Sequence, residues 1–276
     1  MALDQLTPEQ ITIIDDGNRA SWARTAPTYI DGFAALTGGA AEATLDAAGV
    51  GRGAHLLDVG TGPGTLIGPA LERGATVVAL DLTDEMIEQV RQRYPGVETR
   101  IGKASDLPFE ADSFDAVTLG FSLHHMAEPA RALAEACRVL RPGGRVAFTV
   151  WAEMERLEAF AAAFGALAAI GVDTADDGPQ PPLGMGLPLD EYVGALEAAG
   201  FVQPFARHVE IGWRVRDAAP IVDGFERYTG LPDFASDEQR AAFTAELDAA
   251  VQSRLGADGT ANFPNPAILA AARKGA

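Results

Sequence analysis

The sequence predicts an α/β protein in which a doubly wound, mostly parallel sheet is covered by helices on both faces. Three observations predict it. Between residues 51 and 151, short apolar runs alternate with amphipathic segments in a β-α-β-α order. The runs are nearly continuous in apolar residues, as strands buried on both faces require. The first run ends in a glycine-rich turn and the second ends in an aspartate, Asp81.

The elements follow in order. Thr7 before Pro8-Glu9-Gln10 marks a helix start, with Thr7 as N-cap and Pro8 in the first turn. Helix continues to about Leu36, broken near Pro27, and resumes to Ala48 after the Gly38-Gly39 pair. Strands are expected at His55–Val59, Thr76–Asp81, Val97–Ile101, Phe114–Leu119 and Arg145–Trp151. Helices are expected at Leu66–Arg73, Asp84–Arg93 and Ala130–Leu140, the last stopped by Pro142-Gly143-Gly144. Beyond Trp151 the pattern loosens. An apolar helix covers Glu153–Ile170, a Pro/Gly-rich loop Asp173–Leu187, and a helix Asp190–Ala199. Alternation over Phe205–Val215 predicts a strand, Asp217–Leu255 is mostly helical with a break at Gly230 and Pro232, and Pro266–Ala272 is a final strand. With no linker in view, residues 1–276 read as one domain. A helical cap (1–50) precedes a core (51–151), and the remaining strands with helical insertions follow (152–276).

Composition excludes several classes. The formal net charge of −18 opposes binding to a phosphate backbone or to anionic lipid. No basic segment followed by an apolar run opens the chain, and Ala159–Val172 is too short to span a bilayer, so the expected compartment is cytoplasmic. One cysteine, Cys137, rules out an internal disulfide, and the histidine spacing suits no metal.

The chemistry concentrates after the first two strands. Asp58-Val59-Gly60-Thr61-Gly62-Pro63-Gly64 lets backbone approach a ligand closely and leads into a helix N-terminus. Its third glycine is one residue early for a dinucleotide fingerprint, which would place it at Thr65. Asp81 can accept both hydrogen bonds of a ribose diol. A Tyr-x-x-x-Lys pair at catalytic spacing is missing, which with Thr65 argues against a nicotinamide oxidoreductase.

With these pieces, and with Ala79 to Met86, Ala104 to Phe109, Ser113 to Val117, Leu123-His124-His125 and Arg138 to Arg145, the chain resembles the class I S-adenosylmethionine-dependent methyltransferases. The resemblance is to the small-molecule branch similar to ubiquinone/menaquinone-biosynthesis methyltransferases. It implies a seven-stranded Rossmann-like sheet whose last strand is antiparallel, S-adenosylmethionine as cofactor (S-adenosylhomocysteine as product), and a small-molecule methyl acceptor. By resemblance Gly60, Thr61, Gly62 and Gly64 lie against the methionine part, with Asp58 in the same stretch. Asp81 holds the ribose, and Leu82 and Met86 pack on adenine. Ala104, Ser105, Asp106 and Leu107 read the adenine edge, Phe121 and Ser122 line the transfer site, and in the cap Arg24 and Tyr29 either reach the cofactor or are ordinary helix packing with a surface arginine. The family often has an acid where this chain has Lys103, which cannot accept from an adenine amino group. A backbone carbonyl, Asp106, or packing alone is expected to replace it.

His124 and His125 are the candidate general bases, and as neighbours at most one of them faces the pocket. His55 reads as structural and His208 as solvated. Trp213, Phe225, Tyr228 and Phe234 are either an apolar substrate wall or plain core, and the segments around 173–187 and 217–255 are expected to help roof the pocket. A protein of the same fold that uses the cofactor structurally, or for a non-methyl reaction, would share the first 150 residues' pattern.

Overall fold

The computed structural model describes residues 6–172 and 178–276. Helices α1 (Pro8–Tyr29), α2 (Ala34–Thr37) and α3 (Ala41–Ala47) open the chain. Then come β1 (His55–Val59), α4 (Ile67–Glu72), β2 (Thr76–Asp81), α5 (Asp84–Arg93), β3 (Glu98–Ile101), β4 (Phe114–Gly120), α6 (Pro129–Val139) and β5 (Leu140–Trp151). The last part holds α7 (Glu158–Ala169), α8 (Leu189–Ala198), β6 (Phe201–Val209), β7 (Gly212–Val215), α9 (Ala219–Thr229), α10 (Leu231–Phe234), α11 (Asp237–Gln252), β8 (Ala261–Pro264) and β9 (Ala267–Lys274). Of the expected loop, residues 173–177 lie outside the described residues.

The main sheet has the order β3-β2-β1-β4-β5-β9-β6. All neighbours are parallel except β9, which runs antiparallel to both β5 and β6. Period-two alternation sorts its side chains into two cores. Leu57, Val78, Val117 and Phe148 belong to one, and their neighbours Leu56, Val77, Ala116 and Ala147 to the other. Leu133 and Ala136 of α6 cover the first face, and Leu45 of α3, Ala70 of α4 and Val90 of α5 the second. The strand order reverses between β1 and β4, so their carboxyl ends diverge and leave a crevice there.

The N-terminal helix lies outside this sandwich. Thr7 and Gln10 close a capping box at its start, and Pro27 is accommodated in its last turn. Its far end packs on α9. A Cβ on Gly32 would come within 2.9 Å of the Gly224 backbone, so only glycine permits this approach. Phe33 is buried there against Phe225 and Trp213.

The Phe205–Val215 run is not one strand of one sheet. β6 pairs with β9, whereas β7 pairs with β8 in a separate two-stranded ribbon. The register is nonetheless continuous, from Val209 opposite Ala267 to Gly212 opposite Pro264, and the Asn265 N–H still reaches the Ile211 carbonyl at 2.9 Å. Pro264 and Pro266 have no N–H to give, so the ladder lapses between them and the ribbon leaves the sheet. β6 forms the sheet's outer edge and carries Pro204 and a bulge between Val202 and Phe205, with Gln203 at φ 55°.

Two glycines of the N-terminal region should respond oppositely to one added methyl. Gly17, inside α1 with nothing within 4 Å of its Cβ position, should gain roughly 0.5–1 kcal/mol as Gly17→Ala. Gly32→Ala should cost roughly 1–3 kcal/mol by prying α9 away. Urea denaturation of the two variants measures both, and equal shifts would refute the close approach.

Candidate active site

The crevice at the switch point is a cleft of about 1140 Å³, counting its open mouth. Its floor is the turn after β1. The N–H groups of Gly60 and Thr61 donate to the Leu80 carbonyl at 2.8 and 3.0 Å, stitching the turn to the end of β2. Gly62 N–H donates to Asp81 Oδ2 at 2.8 Å, while Asp81 Oδ1 accepts from the backbone and hydroxyl of Thr83, both at 3.0 Å. Below it, Asp58 accepts from Thr61 Oγ1 and Thr118 Oγ1, both at 2.7 Å. Gly60 (φ 64°) leaves no room for a side chain, since a Cβ would stand 2.5 Å from Ser122 Cβ. Gly62 (φ 55°) instead faces open space. At the end of β4, Phe121 holds a left-handed backbone (φ 52°), and its ring stacks 4.2 Å from Trp151.

Helix α1 closes the top. Asp15, Asn18, Trp22 and Tyr29 recur at helical spacing and share the face toward the cleft. Asn18 Nδ2 donates to the His125 carbonyl, Arg19 Nη1 to the Leu82 carbonyl at 2.8 Å, and Lys103 pairs with Asp15. Trp22 meets the His125 ring edge-on at 5.0 Å.

Of the residues expected from sequence, the cleft gathers Tyr29, Asp58, Gly60, Thr61, Gly62, Asp81, Leu82, Met86, Ala104, Ser105, Phe121, Ser122 and His125. Five lie elsewhere. Arg24 sits about 200° around α1 from Trp22, where it donates to the Arg227 carbonyl and pairs with Asp233. Gly64 (φ 89°) faces Ile67 and Tyr94, each 2.9 Å from a Cβ there, so it serves packing. Asp106 is exposed, and Leu107 is buried with its N–H on Glu135. His124 is buried outside the cleft with neither ring nitrogen hydrogen-bonded.

Other expectations are corrected as well. His208 is not simply solvated, because its Nε2 lies 3.3 Å from both Glu153 oxygens. Among the described residues, the 217–255 helices contribute no lining residue. Trp213 and Phe225 are core, and Tyr228 packs behind Trp22. The side chain of Phe234 lies outside the described residues. Sequence reasoning missed Asp15, Asn18, Thr37 and Thr149, which line the cleft; the i, i+3, i+7, i+14 spacing of Asp15, Asn18, Trp22 and Tyr29 was the available signal. Among the described residues, no group of three or more His, Cys, Asp or Glu could hold a metal ion, and no helix is long and apolar enough to cross a membrane.

The family model described as "Methyltransferase domain" matches residues 57–148. This stretch is therefore similar to methyltransferase domains. It is similar to the demethylmenaquinone methyltransferase of Renibacterium salmoninarum, with 43% identity over 102 residues, 37% of this chain and 43% of that protein. The chain thus matches less than half the length of this relative. Among solved structures, the YcgJ protein from Bacillus subtilis aligns at TM-score 0.53 and 21% identity, covering 86% of this chain and 98% of that one. The Haemonchus contortus phosphoethanolamine N-methyltransferase 2 in complex with S-adenosyl-L-methionine aligns at TM-score 0.52 and 20% identity, covering 86% of this chain and 52% of that one. At these identities the two structures share its fold.

The cleft and its surroundings keep two carboxylates and two histidines in unusual states. Burial pushes the Asp58 carboxyl up to about 6; the Thr61 and Thr118 hydroxyls oppose the rise and the Asp81 charge adds to it. Burial likewise raises Asp81, against hydrogen bonds from Gly62 and Thr83. Burial lowers His125 to about 4, and burial together with the His125 charge holds His124 well below its ordinary value. Tyr29 is raised to about 12, again by burial.

Asp58 makes a signed pH prediction. Its folded carboxyl binds a proton more tightly than the unfolded one, so its contribution to stability falls as pH rises through about 6. Asp58→Asn cannot ionise. Between pH 5 and 7.5, wild type should therefore lose roughly 1–2 kcal/mol relative to the variant in denaturant titrations. A constant difference across that range would mean that Asp58 is ionised throughout it.

Proposed function

We propose that the protein transfers a methyl group from S-adenosylmethionine to a small-molecule acceptor. The observation that carries this is the Asp81 carboxylate fixed beside the Gly60–Gly62 turn in one cleft at the switch point. The residues fit such a cofactor. Gly62 opens on free space that a Cβ would fill, so backbone can meet the ligand directly. Leu82 and Met86 offer an apolar floor next to Asp81 for a purine. Asp15, Asp58, Asp81 and Glu128 outnumber Lys103 around the cleft, which favours a sulfonium and an ammonium over an anionic nucleotide. The domain match and the likeness to a demethylmenaquinone methyltransferase support the same reading.

In this reading the cofactor brings a methyl group already activated on a sulfonium, and the chain supplies orientation and a dry site. Tyr29, Phe121 and Trp22 wall the acceptor's half of the cleft. His125 faces that half as a neutral imidazole and takes or orients the acceptor's proton. His124, outside the cleft, has no part in the chemistry. Residues 1–50 act as the cap of a single domain over the 51–151 core, and the helices of 152–276 brace that cap.

Calorimetry with S-adenosylhomocysteine tests the cofactor. Asp81→Ala should weaken binding by roughly 1–3 kcal/mol, and no heat from folded wild-type protein would end the proposal. Labelled S-adenosylmethionine with a panel of phenol and amine acceptors tests the histidines. His125→Ala should lower transfer to any productive acceptor by about 10²–10⁴, and the wild-type rate should stay level above about pH 5, since His125 titrates near 4. His124→Leu should keep turnover at equal or greater stability, because it removes two unpartnered buried nitrogens.

A further inference from the structure

We infer that Asp15 of α1 supplies the carboxylate that accepts from the exocyclic amino group of the cofactor's adenine, and that Lys103 is the positioning residue that holds it there. This deepens the cofactor reading above and rests on it.

The placement comes from α1. Asp81 marks the ribose position, so Leu82, Met86 and the 102–105 segment mark the base end of the cleft. Arg19, one turn after Asp15, donates to the Leu82 carbonyl, which hangs this turn of α1 over that end. The Asp15 side chain lines the cleft and is only 16% exposed.

The chemistry comes from what else is within reach. An amino group on a purine needs an acceptor, and Lys103, at the same end, has none. Asp106 is exposed and outside the cleft. Glu128 lines it, but its Oε2 accepts from Ser105 Oγ at 3.1 Å and its Oε1 lies 3.5 Å from Arg131. Lys103 Nζ engages Oδ2 of Asp15, leaving Oδ1 to accept from a ligand. The ion pair bridges 88 positions of sequence, from the cap to the loop after β3. It keeps the carboxylate aimed at a site it would otherwise leave for solvent. A base contact made by the cap also links cofactor binding to the seating of α1.

The test is a ratio of dissociation constants, measured by calorimetry for S-adenosylhomocysteine and S-inosylhomocysteine, in which an oxygen replaces the amino group. Wild type should prefer the adenosyl ligand by roughly 10- to 100-fold, the range for hydrogen bonds to a charged group. Asp15→Asn should erase or reverse the preference, because its amide N–H can donate to the inosyl oxygen. Lys103→Met breaks the same ion pair but keeps the carboxylate. It should bind both ligands more weakly while retaining most of the preference. Circular dichroism checks that each variant is folded. An unchanged ratio in Asp15→Asn, with both ligands weakened alike, would make the pair a latch and overturn the assignment. A ratio lost in Glu128→Gln instead would do the same. Wild-type protein that binds neither ligand would overturn the cofactor reading itself, and this inference with it.

Discussion

Two carboxylates buried beneath one turn set the geometry on which the site depends. A charge taken out of water must find donors, and Asp58 and Asp81 find theirs in Thr61, Thr118, Gly62 and Thr83. Those donors belong to the ends of β1 and β4 and to the residues flanking β2. Satisfying the two acids therefore fixes three strand ends relative to one another. The turn can adopt the required path because Gly60 and Gly62 tolerate positive φ. The shape of the cleft follows from electrostatic accounting in the core, before any ligand is considered.

The cap is held in an uneven way. Its far half is embedded in aromatic packing, with Phe33 against Phe225 and Trp213, and Trp22 against Tyr228. Its near half rests on Ile14 and on polar contacts at the cleft rim, two of them to main-chain carbonyls. Apolar burial of the first kind contributes kilocalories per side chain, whereas partly exposed polar contacts contribute about one or less each. The Asp15 end of α1 is thus the more weakly fastened one.

What could be read from sequence was what is local. α5 spans Asp84–Arg93 as its pattern predicts, and the glycine turn and Asp81 lie at adjacent strand ends where motif spacing puts them. Arg24 failed as a site residue because proximity along a helix is not proximity in space; two positions from Trp22 is the opposite face. Gly64 failed because a glycine within a motif can answer to packing, here Tyr94 and Ile67. Asp15 and Asn18 carry a helical-spacing signal with Trp22 and Tyr29, whereas Thr37 and Thr149 carry none, because only tertiary folding brings the cap and β5 to the turn. The Phe205–Val215 alternation was real, yet the proline pair that splits it lies some 50 residues away on the opposing strand.

The bulge in β6 bears on how this protein behaves in a crowded solution. Phe205 and Val202 are exposed on the sheet's outer strand, the combination that invites another chain to add itself as an eighth strand. Such recruitment needs a straight row of free amides and carbonyls. Pro204 removes one amide from that row, and the kink at Gln203 turns the rest out of line. At the opposite margin β3 is four residues long and bears the paired charges of Glu98 and Arg100. Both margins of the sheet are thereby closed to templated growth, and the chain tolerates a greasy rim without becoming a seed for fibres.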